Sequence, residues 1–149
     1  MPARSFSRPL RATGQIFAVL DEPAAAPAVV QGLAEAGVDT TNVTMLRGEE
    51  GAARIDAIGT RSGIRARLRQ ILSFTLVDQM PDFALYEAAV LDSRTVLAVP
   101  ITSDQARTAT IGVLRDAGAH FVNFYGRFAT EEIIPWRGPE LRIPSVLRR

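Results

Sequence analysis

Residues 32–46, "GLAEAGVDTTNVTML", and residues 113–126, "VLRDAGAHFVNFYG", carry one pattern twice. In each, an acid, an alanine and a glycine close a stretch with apolar residues at helical spacing, and β-branched or aromatic residues follow at once. Glycine in that place ends a helix, because it takes the left-handed backbone conformation that other residues resist. A short apolar run precedes each copy: "QIFAVLD" (15–21) and "TVLAVPI" (95–101). Such runs, closed by Asp, Pro or Ser, read as strands. Ile16, Phe17, Ala18 and Val19 match Val96, Leu97, Ala98 and Val99, while Leu33, Glu35, Ala36 and Gly37 match Leu114, Asp116, Ala117 and Gly118. The chain therefore reads as two β-α-β units. Pro23 and Pro27 belong to the first turn of the first helix, where a missing N–H costs little. Ser103 or Asp104 caps the second.

Two such units interleave into a ferredoxin-like α+β fold: a four-stranded antiparallel sheet in the order 4-1-3-2 with helices on one face. Strands one and three would be central. "IFAVL" and "VLAV" are apolar at consecutive positions, as a strand buried on both faces requires. "NVTML" and "HFVNFY" are interrupted by Asn42, Thr44, His120 and Asn123, which fits edge strands. Two helices cover only one face. The other needs a cover, which the long insertion, a second chain or a ligand would provide.

The rest of the chain divides around this pattern. Residues 1–14 form a basic arm, residues 15–128 a single domain with a helical insertion at 48–94, and residues 129–149 a tail. Within the insertion, "GEEGAARIDAIG" (48–59) suits a short helix, and "MPDFALYEAAVLDSR" (80–94) a longer one capped by Asp82. Between them "SGIRARLRQILSF" (62–74) is amphipathic: Ile64, Leu68, Ile71 and Leu72 share one face, and Arg61, Arg65 and Arg69 recur every fourth residue on another. In the tail, Pro135, Pro139 and Pro144 impose an extended segment, either strapped to a surface or disordered, and Trp136, the single tryptophan, argues for the strap.

Composition narrows the chemistry. The absence of cysteine removes disulfides, thiolate catalysis and cysteine-bound metals. All 17 basic residues are arginine, and they collect at the two ends and in the 61–69 segment, which leaves the remaining body strongly acidic. No apolar window is long enough to span a bilayer and no secretory leader opens the chain, so a soluble cytoplasmic protein is expected. His120, the only histidine, reads as structural, since the spacing offers no nucleophile or metal-ligand partners. The acid pairs Glu49/Glu50 and Glu131/Glu132 read as helix-start residues, the latter after Thr130. "GTRSG" (59–63) lacks the phosphate-loop pattern. "NFYGRF" (123–128) has a trace of an RNA-recognition strand, but Phe121, Phe124 and Tyr125 read as packing residues, so nucleic acid is not the expected partner. No catalytic residue, metal or cofactor is assigned. Asp21, in the first strand–helix loop, and Arg61, Arg65 and Arg69 are the candidate contacts for an anionic ligand or surface.

The spacing of "IFAVLDEPAAAPAVVQGLAEAGVDTTNVTML", of "LYEAAVLDSRTVLAVPI" after a helical insert, and of "RTATIGVLRDAGAHFVNFYGRF" resembles the bacterial general-stress, heat-induced YflT-type domain over residues 15–128. The resemblance rests on apolar and glycine positions. It implies a stress-associated protein and carries no catalytic residue. The function expected on these grounds is a non-enzymatic structural or interaction protein that self-associates into a homo-oligomer. The alternative is an anion- or small-molecule-sensing module that binds near the first strand–helix loop or in a groove between subunits.

Overall fold

The computed structural model describes residues 10–57 and 79–139. The helix expected at 62–74, with Arg61, Arg65 and Arg69, lies outside the described residues, as do most of the basic arm and the last part of the tail.

The first copy supplies β1 (Gln15–Leu20), a turn of 3-10 helix (Pro23–Ala25), α1 (Ala26–Glu35) and β2 (Thr44–Leu46). Helix α2 begins at residue 48 and runs to the end of the first described segment at 57, and α3 spans Gln79–Leu91. That start places Asp82 inside α3 instead of at its cap. The second copy supplies β3 (Thr95–Pro100), α4 (Asp104–Asp116) and β4 (His120–Tyr125), and β5 (Thr130–Ile134) follows. The fold is α+β.

The repeated acid–Ala–Gly pattern produces the same helix ending twice. After α1, Gly37 at φ +89° donates to the Ala34 carbonyl and Val38 to that of Leu33. After α4, Gly118 at φ +76° donates to Arg115 and Ala119 to Leu114. This pair of bonds satisfies carbonyls that a helix end otherwise leaves open. It also turns the chain back at once, and Val38 and Ala119 reach the same core as Leu33 and Leu114. At the other end of α4, Ser103 caps the helix by accepting the Ala106 N–H at 3.0 Å.

The sheet is antiparallel and five-stranded, in the order β2-β3-β1-β4-β5. A four-stranded sheet is thus corrected to five. The tail does not leave the domain after residue 128 but returns as β5 against β4. Consequently β4 is an interior strand, and the edge position inferred from His120 and Asn123 is wrong: both are buried, each 2% exposed. Glu131 and Glu132 stand on a strand, not at a helix start. Successive strand residues point to opposite faces, so the two carboxylates do not form a pair.

Side chains of β1 and β3 alternate between two cores. Ile16, Ala18, Leu20, Leu97 and Val99 meet α1 and α4 through Val29, Leu33 and Leu114. Phe17, Val19, Val96 and Ala98 meet the insertion through Ala52 and Ile55 of α2 and Phe83, Tyr86, Ala89 and Val90 of α3. The insertion is therefore what covers the second face of the sheet.

That second core is held by rings and by one polar knot. Phe17 sits 5.4 Å from Tyr86 and 5.5 Å from Tyr125, and Phe83 stacks on Tyr125 at 5.4 Å. Between Phe17 and Val19 on β1, facing Asn123 and His120 on β4, the register slips by one residue, and Phe121 takes φ +47°. Such a bulge disturbs the ladder and leaves backbone groups to be satisfied by other means. The Tyr86 hydroxyl meets that need. It donates to the Phe121 carbonyl at 2.9 Å, lies 3.3 Å from that of Phe17, and accepts from the Asn123 amide at 2.8 Å. One side chain of α3 thus bonds to β1 and β4 together.

Removing that hydroxyl by Tyr86→Phe leaves a buried carbonyl and a buried amide without their partner. The expected loss is about 1–3 kcal/mol of stability, read as a lower urea midpoint with an unchanged m-value. Asn123→Ala combined with Tyr86→Phe should cost less than the sum of the two single changes, because they share one bond.

Candidate functional site

The antiparallel pairing fixes which chain ends meet. β1 lies between β3 and β4, so the end of β1 falls beside the starts of both: Leu20 faces Thr95, and Val19 faces His120. Asp21, Arg94 and His120, each at the end of a strand, are thereby brought to one rim of the sheet. Their separation in sequence hides this completely, for Asp21 and His120 are 99 positions apart.

One carboxylate oxygen of Asp21 takes two donors. Arg94 Nε–H reaches it at 2.8 Å and His120 Nε2 at 2.7 Å. Arg94 also bonds to Asp92, which follows α3, so the guanidinium ties the end of the insertion to the end of β1. On the other side of the imidazole, Nδ1 accepts the backbone N–H of Arg137 at 3.1 Å. An atom that accepts carries no proton. The imidazole is accordingly the neutral Nε2–H tautomer, which donates to Asp21. The ring is 2% exposed and Asp21 is half exposed.

Burial works to raise the Asp21 pKa, but hydrogen bonds from His120 and Arg94 and the nearby Arg94 charge outweigh it, and the carboxyl is held below its ordinary value. In the insertion the opposite holds. Burial, reinforced by the Asp56 carboxylate, pushes Glu87 up.

The C-terminal segment closes over the rim. Phe121 N–H donates to the Pro135 carbonyl at 3.0 Å. The Trp136 ring stands edge-on to His120 with centroids 4.6 Å apart, the Arg94 guanidinium lies 5.6 Å from its centre, and its indole N–H donates to Pro139 at 3.0 Å. A Cβ on Gly138 would come within 2.8 Å of Trp136 and 3.2 Å of His120, so the backbone passes too close there for any other residue. "PWRGP" (135–139) is a clamp around the imidazole. The expected strap exists, and the residue it grips is the histidine.

Of the four candidate ligand contacts, Asp21 lies at this rim, while Arg61, Arg65 and Arg69 lie outside the described residues. The reading of His120 as structural is consistent with its two bonds. Arg94, Asp92 and the Arg137 backbone carried no recognisable signal, whereas Trp136 did, as a lone tryptophan among prolines. Glu131 pairs with Arg107 across β5 and α4. Among the described residues no group of three or more histidine, aspartate or glutamate side chains is placed to hold a metal ion, and no helix is long and apolar enough to cross a membrane. Comparison with protein-family models, with curated proteins and with solved structures returned no match.

Because the folded-state pKa of Asp21 is depressed, its contribution to stability is present above the unfolded value, near 3.9, and is lost as pH falls through the folded one. Asp21→Asn should lower stability at neutral pH by less than about 1 kcal/mol, since the carboxylate is half in water. The gap from the parent should narrow as acid protonates Asp21. Urea midpoints across acidic to neutral pH check both the sign and the window.

Proposed function

We propose that this chain is a non-enzymatic interaction protein that acts as a homo-oligomer, and that the tip joining β4 to β5 is its contact. The observation that carries the reading is Phe128, whose side chain is 88% exposed. Burying a phenylalanine is favourable by about 1.5–3 kcal/mol, so a ring left in water on a defined turn is stabilised by anything that covers it. The turn is defined: Gly126 N–H donates to Ala129 at 2.9 Å, and the Arg127 guanidinium lies 5.8 Å from the Phe128 ring. Aromatic residues and arginine are the side chains that dominate protein interfaces.

A second copy of the chain is the partner that charge favours. Gly14 N–H bonds to the Tyr125 carbonyl at 2.7 Å, so the residue that ends the basic arm lies beside this tip. Arg127 stands beside Phe128, and the N-terminal arm, which carries Arg4, Arg8 and Arg11 in its sequence, joins the sheet at this end, while the body of the chain is acidic. A basic, aromatic end suits the acidic flank of another copy. With both sheet faces occupied by helices, contact through an end replaces contact through an open face. The YflT-type resemblance supports a stress-associated role, and in the same reading the first four strands are a ferredoxin-like unit extended by β5. Anion sensing at the first strand–helix loop is the weaker reading, because the Asp21 carboxylate already takes the Arg94 and His120 donors that an incoming anion would use.

Native mass spectrometry and sedimentation equilibrium of the full chain test this. The parent protein is expected to be oligomeric, and Phe128→Asp to weaken association by about tenfold or more with unchanged circular dichroism. A parent that stays monomeric at every accessible concentration, or a Phe128→Asp variant that associates as the parent does, would overturn it.

A further inference from the structure

The clamp around His120 depends on a lone pair. Nδ1 accepts the Arg137 N–H at 3.1 Å, Nε2 is committed to Asp21 at 2.7 Å, and the ring is sealed under Trp136. Both nitrogens of an imidazolium are donors. A second proton would have to sit on Nδ1 and point at an N–H that cannot turn around without moving its backbone.

We propose that His120 is a proton-operated latch: the neutral imidazole holds residues 136–139 on the rim, and protonation of Nδ1 lets them go. The charged groups on the imidazole's side of the rim are Asp21 from the loop after β1, bonded to Nε2, and Arg94 just before β3 with Asp92 behind it after α3, while Arg137 of the clamp meets the ring through its backbone N–H. Opposite signs flank the imidazole. Asp21 keeps its bond to Nε2–H in either state, so the ring stays and the clamp leaves.

The break has a defined extent. β5 remains paired with β4, and the bond from Phe121 N–H to Pro135 lies on the sheet side of the latch. The segment that lifts is Trp136 to Pro139. Its departure removes the indole that lies 6.1 Å from Phe121 and 5.6 Å from the Arg94 guanidinium. The Arg94 guanidinium and the Phe121 ring, each covered by the indole at neutral pH, are thereby uncovered in acid. This inference does not rest on oligomer formation, since it concerns the opposite end of the sheet from Phe128.

The composition makes the test unusually clean, because the chain has one histidine and one tryptophan. Trp136 emission and its quenching by acrylamide report the clamp, the imidazole proton resonances report His120, and far-UV circular dichroism reports the fold. Between about pH 8 and 5, the emission maximum should move to the red and acrylamide access should rise. Both should follow the midpoint of the imidazole resonances, with the dichroism constant. Quenching by a nearby imidazolium would lower intensity without changing access, so the access measurement decides. His120→Gln should give a pH-independent emission maximum. Gly138→Ala, whose Cβ would come within 2.8 Å of the Trp136 ring and 3.2 Å of His120, disrupts the packing of the clamp on the imidazole by contact alone and should show the acid-like emission already at pH 8.

An imidazole that titrates while acrylamide access stays constant would overturn the latch. So would an emission change that accompanies loss of dichroism, or a His120→Gln variant that follows the parent's curve. If His120→Gln does not fold, the parent titration and Gly138→Ala decide without it.

Discussion

Two strands buried on both faces set the terms for everything else in this protein. Every position of β1 from Ile16 to Leu20, and of β3 from Thr95 to Val99, is inaccessible to water. A sheet whose centre is apolar on both sides needs a layer above and a layer below. The repeated β-α-β units supply one layer, since each brings a single helix and both pack on the same side. The insertion supplies the other. It is not an ornament on the minimal fold but half of its cover.

The second layer shapes the strand it rests on. Phe121 occupies a backbone conformation that a phenylalanine normally avoids. The bulge that holds it there turns its ring toward Tyr86, 4.8 Å away, and aims its carbonyl at the Tyr86 hydroxyl. Immediately before it, His120 falls at the rim beside Asp21. The same irregularity therefore joins α3 to the sheet and sets the residue that the C-terminal clamp grips. Cover, bulge and latch are consecutive consequences of one packing requirement.

Much of the fold was legible in the sequence for local reasons. Gly37 and Gly118 announce two identical helix endings, Ser103 announces a cap, and the unbroken apolar runs of β1 and β3 announce burial on both faces. What stayed hidden was non-local or disguised. β5 reads "TEEII", where two glutamates between a threonine and a proline-rich tail mask the strand pattern, although charge on an exposed edge is one way such a strand avoids pairing with another chain. Asn123 looked like an edge residue because its partner is a tyrosine hydroxyl on the insertion. Of the rim, Asp21 and Trp136 could be singled out from their surroundings. Their association with Arg94 and His120 could not, because it follows from the pairing of three strands and from no spacing along the chain.

The claim on which the rest stands is that the second sheet face is covered by the chain's own insertion. An isotope-filtered NOE spectrum of an equal mixture of labelled and unlabelled protein tests it most directly. If the insertion folds back on its own sheet, contacts of Tyr86 and Phe83 with Phe17 and Tyr125 will appear only within a molecule, whatever the oligomeric state. The same contacts appearing between labelled and unlabelled molecules would mean that a neighbour's insertion covers the sheet, and would contradict the fold described above.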